Sequence, residues 1–213
     1  MSEVPTGRLI EAVASRVIAA ADELTVLDRQ TGDGDHGTNM RLGCEALLAQ
    51  LEQLAARPLP DALRAVGNIL QMKVGGASGP LFATLFVNLG KGLAHDPEQL
   101  PGQGPESLAL ALQGAVAAVA RLGKSEPGCK TMLDVLVPVQ RLLEAGLAAS
   151  ESAADLAARI EAAAADAAEA TGAMKATRGR AAYLGDASIG PVDPGARSVQ
   201  IMVAAVCGVL REA

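Results

Sequence analysis

The sequence predicts an all-α protein, a bundle of about eight amphipathic helices, and three observations carry that reading. Apolar residues recur at helical spacing almost continuously and are interrupted by Gly/Pro loops. Half of the chain is hydrophobic while aromatics make up 1%. Ala, Leu, Val and Ile must therefore fill the core, and an alanine-rich mixture favours helix over sheet. No segment alternates convincingly with the period of two that marks a strand.

The elements follow in order. Leu9, Val13, Val17 and Leu24 recur at helix spacing and predict a first amphipathic helix over about residues 6–25. A second begins near Thr38, with Leu47, Leu51 and Leu54 on one face, and stops before "RPLP". Leu63, Val66 and Leu70 mark a third over about 60–74. "PLFATLFVNLG" is apolar all round with Pro80 at a plausible first helical position, which predicts a buried central helix. "HDPEQLPGQGP" reads as a loop. Further helices are expected at about 105–122, 132–147, 152–174 and 196–211. An antiparallel bundle brings alternate loops to one end. The Gly-rich polar stretches "LDRQTGDGDHGTN", "VGGASGP", "GKSEPGCKT" and "KATRGRAAYLGDASIGPVDPGA" are thus expected to meet and build one site.

Composition narrows the function. With 213 residues, the chain is expected to form a single domain over 1–213 that buries about 70% of its unfolded surface. A net charge of −6 argues against a nucleic-acid partner, since phosphate binding needs a basic face. Cys44, Cys129 and Cys207 are odd in number and far apart, giving neither a disulfide framework nor a zinc site. The N-terminus lacks a signal pattern and no apolar run is long enough for a bilayer. A soluble cytoplasmic protein with no membrane association is the expectation.

The acidic loop is the most informative motif. Asp28, Asp33 and Asp35 fall within eight positions on glycine-rich backbone, where like charges repel. A solvated turn with an Asp helix cap is the plain reading; a hard cation held by oxygen ligands explains the clustering better. A calcium EF-hand fails, because its sixth and twelfth positions would be Thr38 and Cys44 instead of Gly and Glu. Gly32, Gly34 and Gly37 spell G-x-G-x-x-G, but no βαβ unit surrounds them, and the aspartates would repel a bare pyrophosphate. Mg²⁺ between carboxylate and phosphate reverses that repulsion, so the loop reads as a seat for a Mg²⁺-nucleotide.

The other loops fit around it. In "VGGASGP", Ser78 offers a hydroxyl and the next helix offers free N–H groups to an anion, against the plainer reading of an ordinary turn. "GKSEPGCKT" has the wrong register for a phosphate-binding P-loop and lacks the preceding strand. Lys175, Arg178 and Arg180 can counter phosphate charge or simply be solvated cations. Asp193 and Gly195 in "VDPGA" mark a turn before the last helix. His36 lies inside the acidic loop and is read as a ligand or phosphate contact, whereas His95 is read as a loop residue without function. No Ser-His-Asp or Cys-His arrangement is identifiable.

Taken together, "LDRQTGDGDHGTNM", "GGASGPLFATLF", "GKSEPGCKTMLDVLVP" and "RGRAAYLGDASIGPVDPGA" resemble the nucleotide-binding L subunit of dihydroxyacetone kinases, in order and over essentially the whole chain. The resemblance implies a closed antiparallel barrel of amphipathic helices with the nucleotide held by loops at one end. It implies that Asp28, Asp33 and Asp35 hold two Mg²⁺ ions that bridge to the phosphates of ADP or ATP. His36, Gly37, Thr38 and Asn39 would contact nucleotide at the start of the second helix. Ala77 and Ser78 would do so from the second loop. Gly123 and Met132 match residues flanking the base, Arg180 the basic contact, and Asp193, Pro194 and Gly195 the closing turn. Cys129 departs from the family's usual Asp in "PGDKTM", which affects a local role only.

In the phosphotransferase-linked branch of that family, ADP stays bound as a coenzyme. A phosphohistidine donor protein phosphorylates it, and the γ-phosphoryl passes to dihydroxyacetone held on a partner K subunit by a histidine. A free-standing chain fits this branch, and also a subunit that uses exchangeable ATP; the phosphoenolpyruvate-dependent form is the expectation. Two other readings compete. One is a related kinase subunit for another keto-sugar or an acyl substrate, and the other is a regulatory module whose nucleotide state signals to a transcription regulator.

Overall fold

The computed structural model describes residues 4–94 and 105–212. Ten α-helices lie among them: α1 Thr6–Ala19, α2 Ala21–Thr31, α3 His36–Leu48, α4 Leu51–Ala55, α5 Leu59–Lys73, α6 Ser78–Leu93, α7 Pro105–Gly123, α8 Leu133–Ala148, α9 Ala153–Ala170 and α10 Pro194–Arg211. Two 3₁₀ turns, Thr171–Ala173 and Arg180–Ser188, lie between α9 and α10. The described residues include no strand. The expected loop "HDPEQLPGQGP" and His95 lie outside the described residues, apart from Pro105, where α7 begins.

The helix count of about eight needs one refinement. The first expected helix runs on to Thr31 and bends at Ala20, where Leu24 N–H still donates to the Ala20 carbonyl (3.0 Å), so the ladder is bridged across the bend. The second breaks near Gln50 and leaves the short α4. Neither bend has a Gly or Pro to announce it. The remaining expectation holds in the packing: α1, α3, α5, α6, α7, α8, α9 and α10 each pack on the next, and α10 returns to α1. Eight helices thus close a ring, with α2 against α3 and α10, and α4 against α1 and α5.

The ring's interior is filled by small and branched side chains. Val17, Leu24, Met40, Leu70, Phe82, Leu133, Val135 and Val199 are sealed from solvent, and Ala14, Ala62, Ala115, Ala164 and Ala196 let helices approach closely. Burying a Leu or Phe contributes about 1.5–3 kcal/mol each, so repeated small gains stand in for large aromatics. The all-apolar α6 is a ring member and not a central helix. It is sandwiched between α5 and α7, and none of residues 78–90 is exposed. It starts at Ser78, which puts Pro80 third, still within the first turn, where a missing N–H costs nothing.

Candidate functional site

Four connections share one end of the ring: residues 32–35, 74–77, 124–132 and 171–193. Bonds among them show that they touch. His36 reaches Ser78, the Thr177 N–H reaches the Cys129 carbonyl, and Arg180 reaches Asp33. The convergence expected from an antiparallel bundle is what the chain does.

At the acidic loop, Asp28 projects from α2, Asp33 from the connection, and Asp35 stands at the N-cap of α3. One carboxylate oxygen from each lies within 4.8 Å of the others. A helix-capping explanation fails on geometry, because the Asp35 side chain makes no capping hydrogen bond. Asp33 and Asp35 are exposed, while Asp28 is 9% exposed and accepts the His36 N–H at 3.0 Å. Three convergent oxygens with solvent access fit a hard divalent cation that keeps several waters.

Next to the carboxylates are two helix N-termini. In α3 the His36 N–H is taken by Asp28, and the Asn39 N–H by the Asp35 carbonyl at 2.9 Å. Gly37 and Thr38 are left with amides that have no partner among the described residues, as the first turn of any helix requires. In α6, Ala77 gives no side-chain cap, and the amides of Ser78 and Gly79 have no partner among the described residues. The N-terminus of α10 differs: Asp193 caps the Ala196 N–H at 2.7 Å and Pro194 has no N–H to offer. An anion therefore finds open donors at α3 and α6, where the helix dipoles also favour it.

His36 joins these elements. It is 6% exposed, with Nδ1 2.9 Å from Ser78 Oγ and Nε2 2.8 Å from Ser198 Oγ, so it ties α3 to α6 and α10, neither of them its ring neighbour. Burial lowers its pKa, against the opposing pull of Asp28 and of a hydrogen bond to the Pro194 backbone. A neutral ring donates to one serine and accepts from the other. Both ring nitrogens lie within hydrogen-bond reach of serines, so the side chain sets helix positions at the place where a ligand or phosphate contact is expected of His36. Asn39 faces the second loop, where a Cβ on Gly75 would come within 3.0 Å of its amide.

Met132 N-caps α8 at 5% exposure and lies beside Gly195, and Gly123 ends α7. Of the three cations in "KATRGR", Lys175 pairs with Asp186 at 2.7 Å and Arg178 donates to the Lys124 carbonyl at 2.5 Å. Arg180 is the one that reaches the acidic loop, through Asp33. The Cys129 side chain is buried and its carbonyl accepts from Thr177 at 3.3 Å, which fits a packing role. Desolvation pushes the Asp193 carboxyl up to about 7, opposed by the Ala196 and Gly195 amides and by Lys130.

The sequence reading passed over Ser198, Lys130, Asp134 and Thr171, all buried polar residues. Ser198 is a polar residue on the buried face of α10, a signal in principle; Lys130 was set aside with the P-loop. A hollow of about 470 Å³ lined by Arg57, Asp61, Arg64, Ala65 and Asn68 lies at the α4–α5 connection, away from these loops. Its Arg64 and Asp61 pair with each other, so it offers no uncommitted charge cluster.

The DAK2 domain pattern matches residues 30–208. The chain is 40% identical over 186 residues to the PEP-dependent dihydroxyacetone kinase, ADP-binding subunit DhaL, of Escherichia coli, covering 86% of this chain and 85% of that one. It is 38% identical over 179 residues to the corresponding ADP-binding subunit of kinase 1 of Listeria innocua, covering 84% and 82%. Among solved structures, the dihydroxyacetone kinase of C. freundii in complex with AMP-PNP and Mg²⁺ superposes with a TM-score of 0.73 at 25% identity. That match covers 98% of this chain and 34% of the C. freundii chain, so this chain spans about a third of that kinase.

Proposed function

The chain belongs to the DAK2-domain family, and from that premise we propose that it is the ADP/ATP-binding L subunit of a dihydroxyacetone kinase, a single nucleotide-binding domain over residues 1–213. The observation that carries the reading is the meeting of three carboxylates, Asp28, Asp33 and Asp35, with the open N-termini of α3 and α6 and with Arg180. Carboxylates alone repel phosphate, and helix N-termini alone repel metal ions; together they suit a metal-bridged phosphate chain.

Phosphoryl transfer asks a protein mainly for positioning and charge neutralisation. The three aspartates would hold two Mg²⁺ ions, which when bound supply positive charge to the β- and γ-phosphate oxygens. Gly37, Thr38, Ser78 and Gly79 donate backbone N–H groups to phosphate oxygens, with Asn39 and Ala77 lining the same approach. Arg180 adds a planar cation beside Asp33. Gly123 and Met132 flank the base, and Asp193, Pro194 and Gly195 close the turn beside it. His36 stands with them as a nucleotide contact and keeps α3, α6 and α10 in register.

In this reading ADP remains bound. A phosphohistidine donor protein converts it to ATP, and the γ-phosphoryl passes to dihydroxyacetone on a partner K subunit, all within the cytoplasm. Among the described residues no helix is long and apolar enough to cross a membrane. Mass spectrometry of the purified chain after denaturation tests the coenzyme mode. One ADP per chain is expected; a chain that releases no nucleotide, yet supports the K subunit with added ATP, would replace the coenzyme mode by exchangeable ATP.

A further inference from the structure

Residues 171–191 form a strap between α9 and α10 whose two ends come together. The Gly190 N–H donates to the Gly172 carbonyl at 2.8 Å. Lys130, from the α7–α8 connection, closes the same neck from outside: its Nζ donates to the carbonyls of Thr171 and Pro191, each at 2.6 Å. Lys130 is 2% exposed, and lysine is almost never this buried unless paired. Its backbone has a φ of +61°, a region that costs a non-glycine residue energy and persists only where the surroundings enforce it. Asp134 does the enforcing. Its two carboxylate oxygens accept the Gly128 and Thr131 amides at 2.5 and 2.7 Å and shape the loop that aims Lys130 at the neck.

The strap meets the ring at three further bonds, the Thr177 N–H to the Cys129 carbonyl, Arg178 to the Lys124 carbonyl and Arg180 to Asp33, each from an exposed residue of the strap. Tyr183 is 92% exposed, and Leu184 and Ile189 are also exposed, so apolar burial contributes little. Its internal bonds, Lys175 to Asp186 and the Ala176 N–H to Ser188 Oγ, hold its own shape and not its placement. Yet it carries Arg180, and beyond its neck comes the Asp193 turn, where the Asp193 N–H donates to Thr171 Oγ1 at 2.9 Å. Lys130 is thus a buried charged donor shared by both ends of the strap, where the other strap-to-ring bonds come from exposed residues.

We propose that Lys130 is a positioning residue which, by clamping the neck at the Thr171 and Pro191 carbonyls, sets where Arg180 and the Asp193–Gly195 turn stand at the site. Its effect on nucleotide rests on the function proposed above; its effect on the strap does not. Lys130→Met keeps most of the stem and removes the donors, and Lys130→Gln keeps an NH₂ donor group without charge. In hydrogen–deuterium exchange on the chain alone, Lys130→Met should speed exchange within 172–190 by about tenfold or more and leave α5, α6 and α7 unchanged. In calorimetry with ADP and Mg²⁺, Lys130→Met should weaken binding about tenfold, and combining it with Arg180→Ala should add little to the larger single loss. Lys130→Gln should fall between Met and wild type in both. Unchanged strap exchange, a uniform rise over the whole chain, independent additive losses, or failure of both variants to fold would each overturn the proposal, the last by making Lys130 a core element. A wild-type chain that ignores ADP would sink the nucleotide reading, while the exchange experiment still decides the clamp.

Discussion

Arg180 and Asp33 stand 147 residues apart in sequence and pair guanidinium to carboxylate across the mouth of the ring. The pair joins the strap to the acidic loop, and each partner has a second proposed task, Asp33 toward metal and Arg180 toward phosphate. Its side chains are 62% and 40% exposed. A pair so open to water is worth about 1 kcal/mol or less. Either partner is therefore cheaply exchanged for another group of like charge, which suits a site where metal and phosphate enter together.

The first prediction tests Arg180 through nucleotide affinity. A charge-assisted contact is worth about 1.5–3 kcal/mol, so Arg180→Ala should weaken ADP binding about tenfold to a hundredfold. Arg180→Lys keeps the charge and loses the planar fork, and should fall between the two. Calorimetry with Mg²⁺ present reads both. If Arg180→Ala binds ADP as tightly as wild type, the arginine is a solvated cation and nothing more.

The three aspartates should separate by their neighbours. Asp33→Asn and Asp35→Asn should abolish transfer and weaken ADP retention while circular dichroism and melting stay near wild type, since both side chains are exposed. Asp28→Ala should also lower the melting temperature, because it strips the acceptor from the His36 amide. Chelation of Mg²⁺ should release nucleotide from the wild type. Full activity in both Asn variants would remove the metal assignment.

Much of this was legible in the sequence, for a physical reason. Helical period and loop composition are local signals, and the four Gly-rich stretches had to share an end once the helices alternate. Asp28, Asp33 and Asp35 could be grouped because their charges are close in sequence as well as in space. The bend at Ala20 was not legible, since no local breaker marks it and α3, which packs on both arms, comes later in the chain. Nor was the role of His36. Its partners Ser78 and Ser198 are 42 and 162 residues away, and only the closed ring brings them to one ring of atoms. Lys130 was hidden likewise, because carbonyl acceptors leave no trace in residue type.

Gly37 and Gly114 should respond to alanine with opposite signs. Both lie in helices, where alanine is favoured over glycine by about 1 kcal/mol. A Cβ at Gly114 meets nothing within 4 Å, so Gly114→Ala should raise the melting temperature slightly. A Cβ at Gly37 would fall 1.9 Å from the Ala21 carbonyl oxygen and 2.3 Å from Thr25 Oγ1. Gly37→Ala must push α3 off α2 and should lose about 2 kcal/mol or more, with the acidic loop displaced. Equal melting temperatures for the two variants would mean that α2 and α3 do not pack this closely.

The carboxyl of Asp193 gives a pH signature. Its folded-state pKa, pushed up to about 7 by desolvation, exceeds the ordinary 3.8. The folded chain then binds the proton more tightly than the unfolded one, so the stability from this group is fully present below the unfolded value and lost as pH rises through about 7. Asp193→Asn removes the titration. The difference in unfolding free energy, wild type minus variant, should fall between about pH 4 and 7 and be flat above about 8. A difference that rises with pH over that window would mean that the Lys130 ammonium and the Ala196 and Gly195 amides outweigh desolvation.

The final prediction is that this chain alone does not phosphorylate dihydroxyacetone. A small, neutral, flexible triose offers little surface for non-covalent binding, so a kinase needs a dedicated way to hold it. In the function proposed above this is a covalent bond from a histidine of the K subunit to the substrate carbonyl. Such a bond needs an uncommitted imidazole nitrogen with room for a tetrahedral carbon. His36 has neither, being 6% exposed with its nitrogens 2.9 and 2.8 Å from serine hydroxyls. The purified chain with ATP, Mg²⁺ and dihydroxyacetone should therefore form no triose phosphate above background. Adding the K subunit should start turnover, and a phosphohistidine donor should sustain it when only ADP is supplied. Vigorous turnover by the isolated chain would put the acceptor site here as well, and the two-subunit reading would fall.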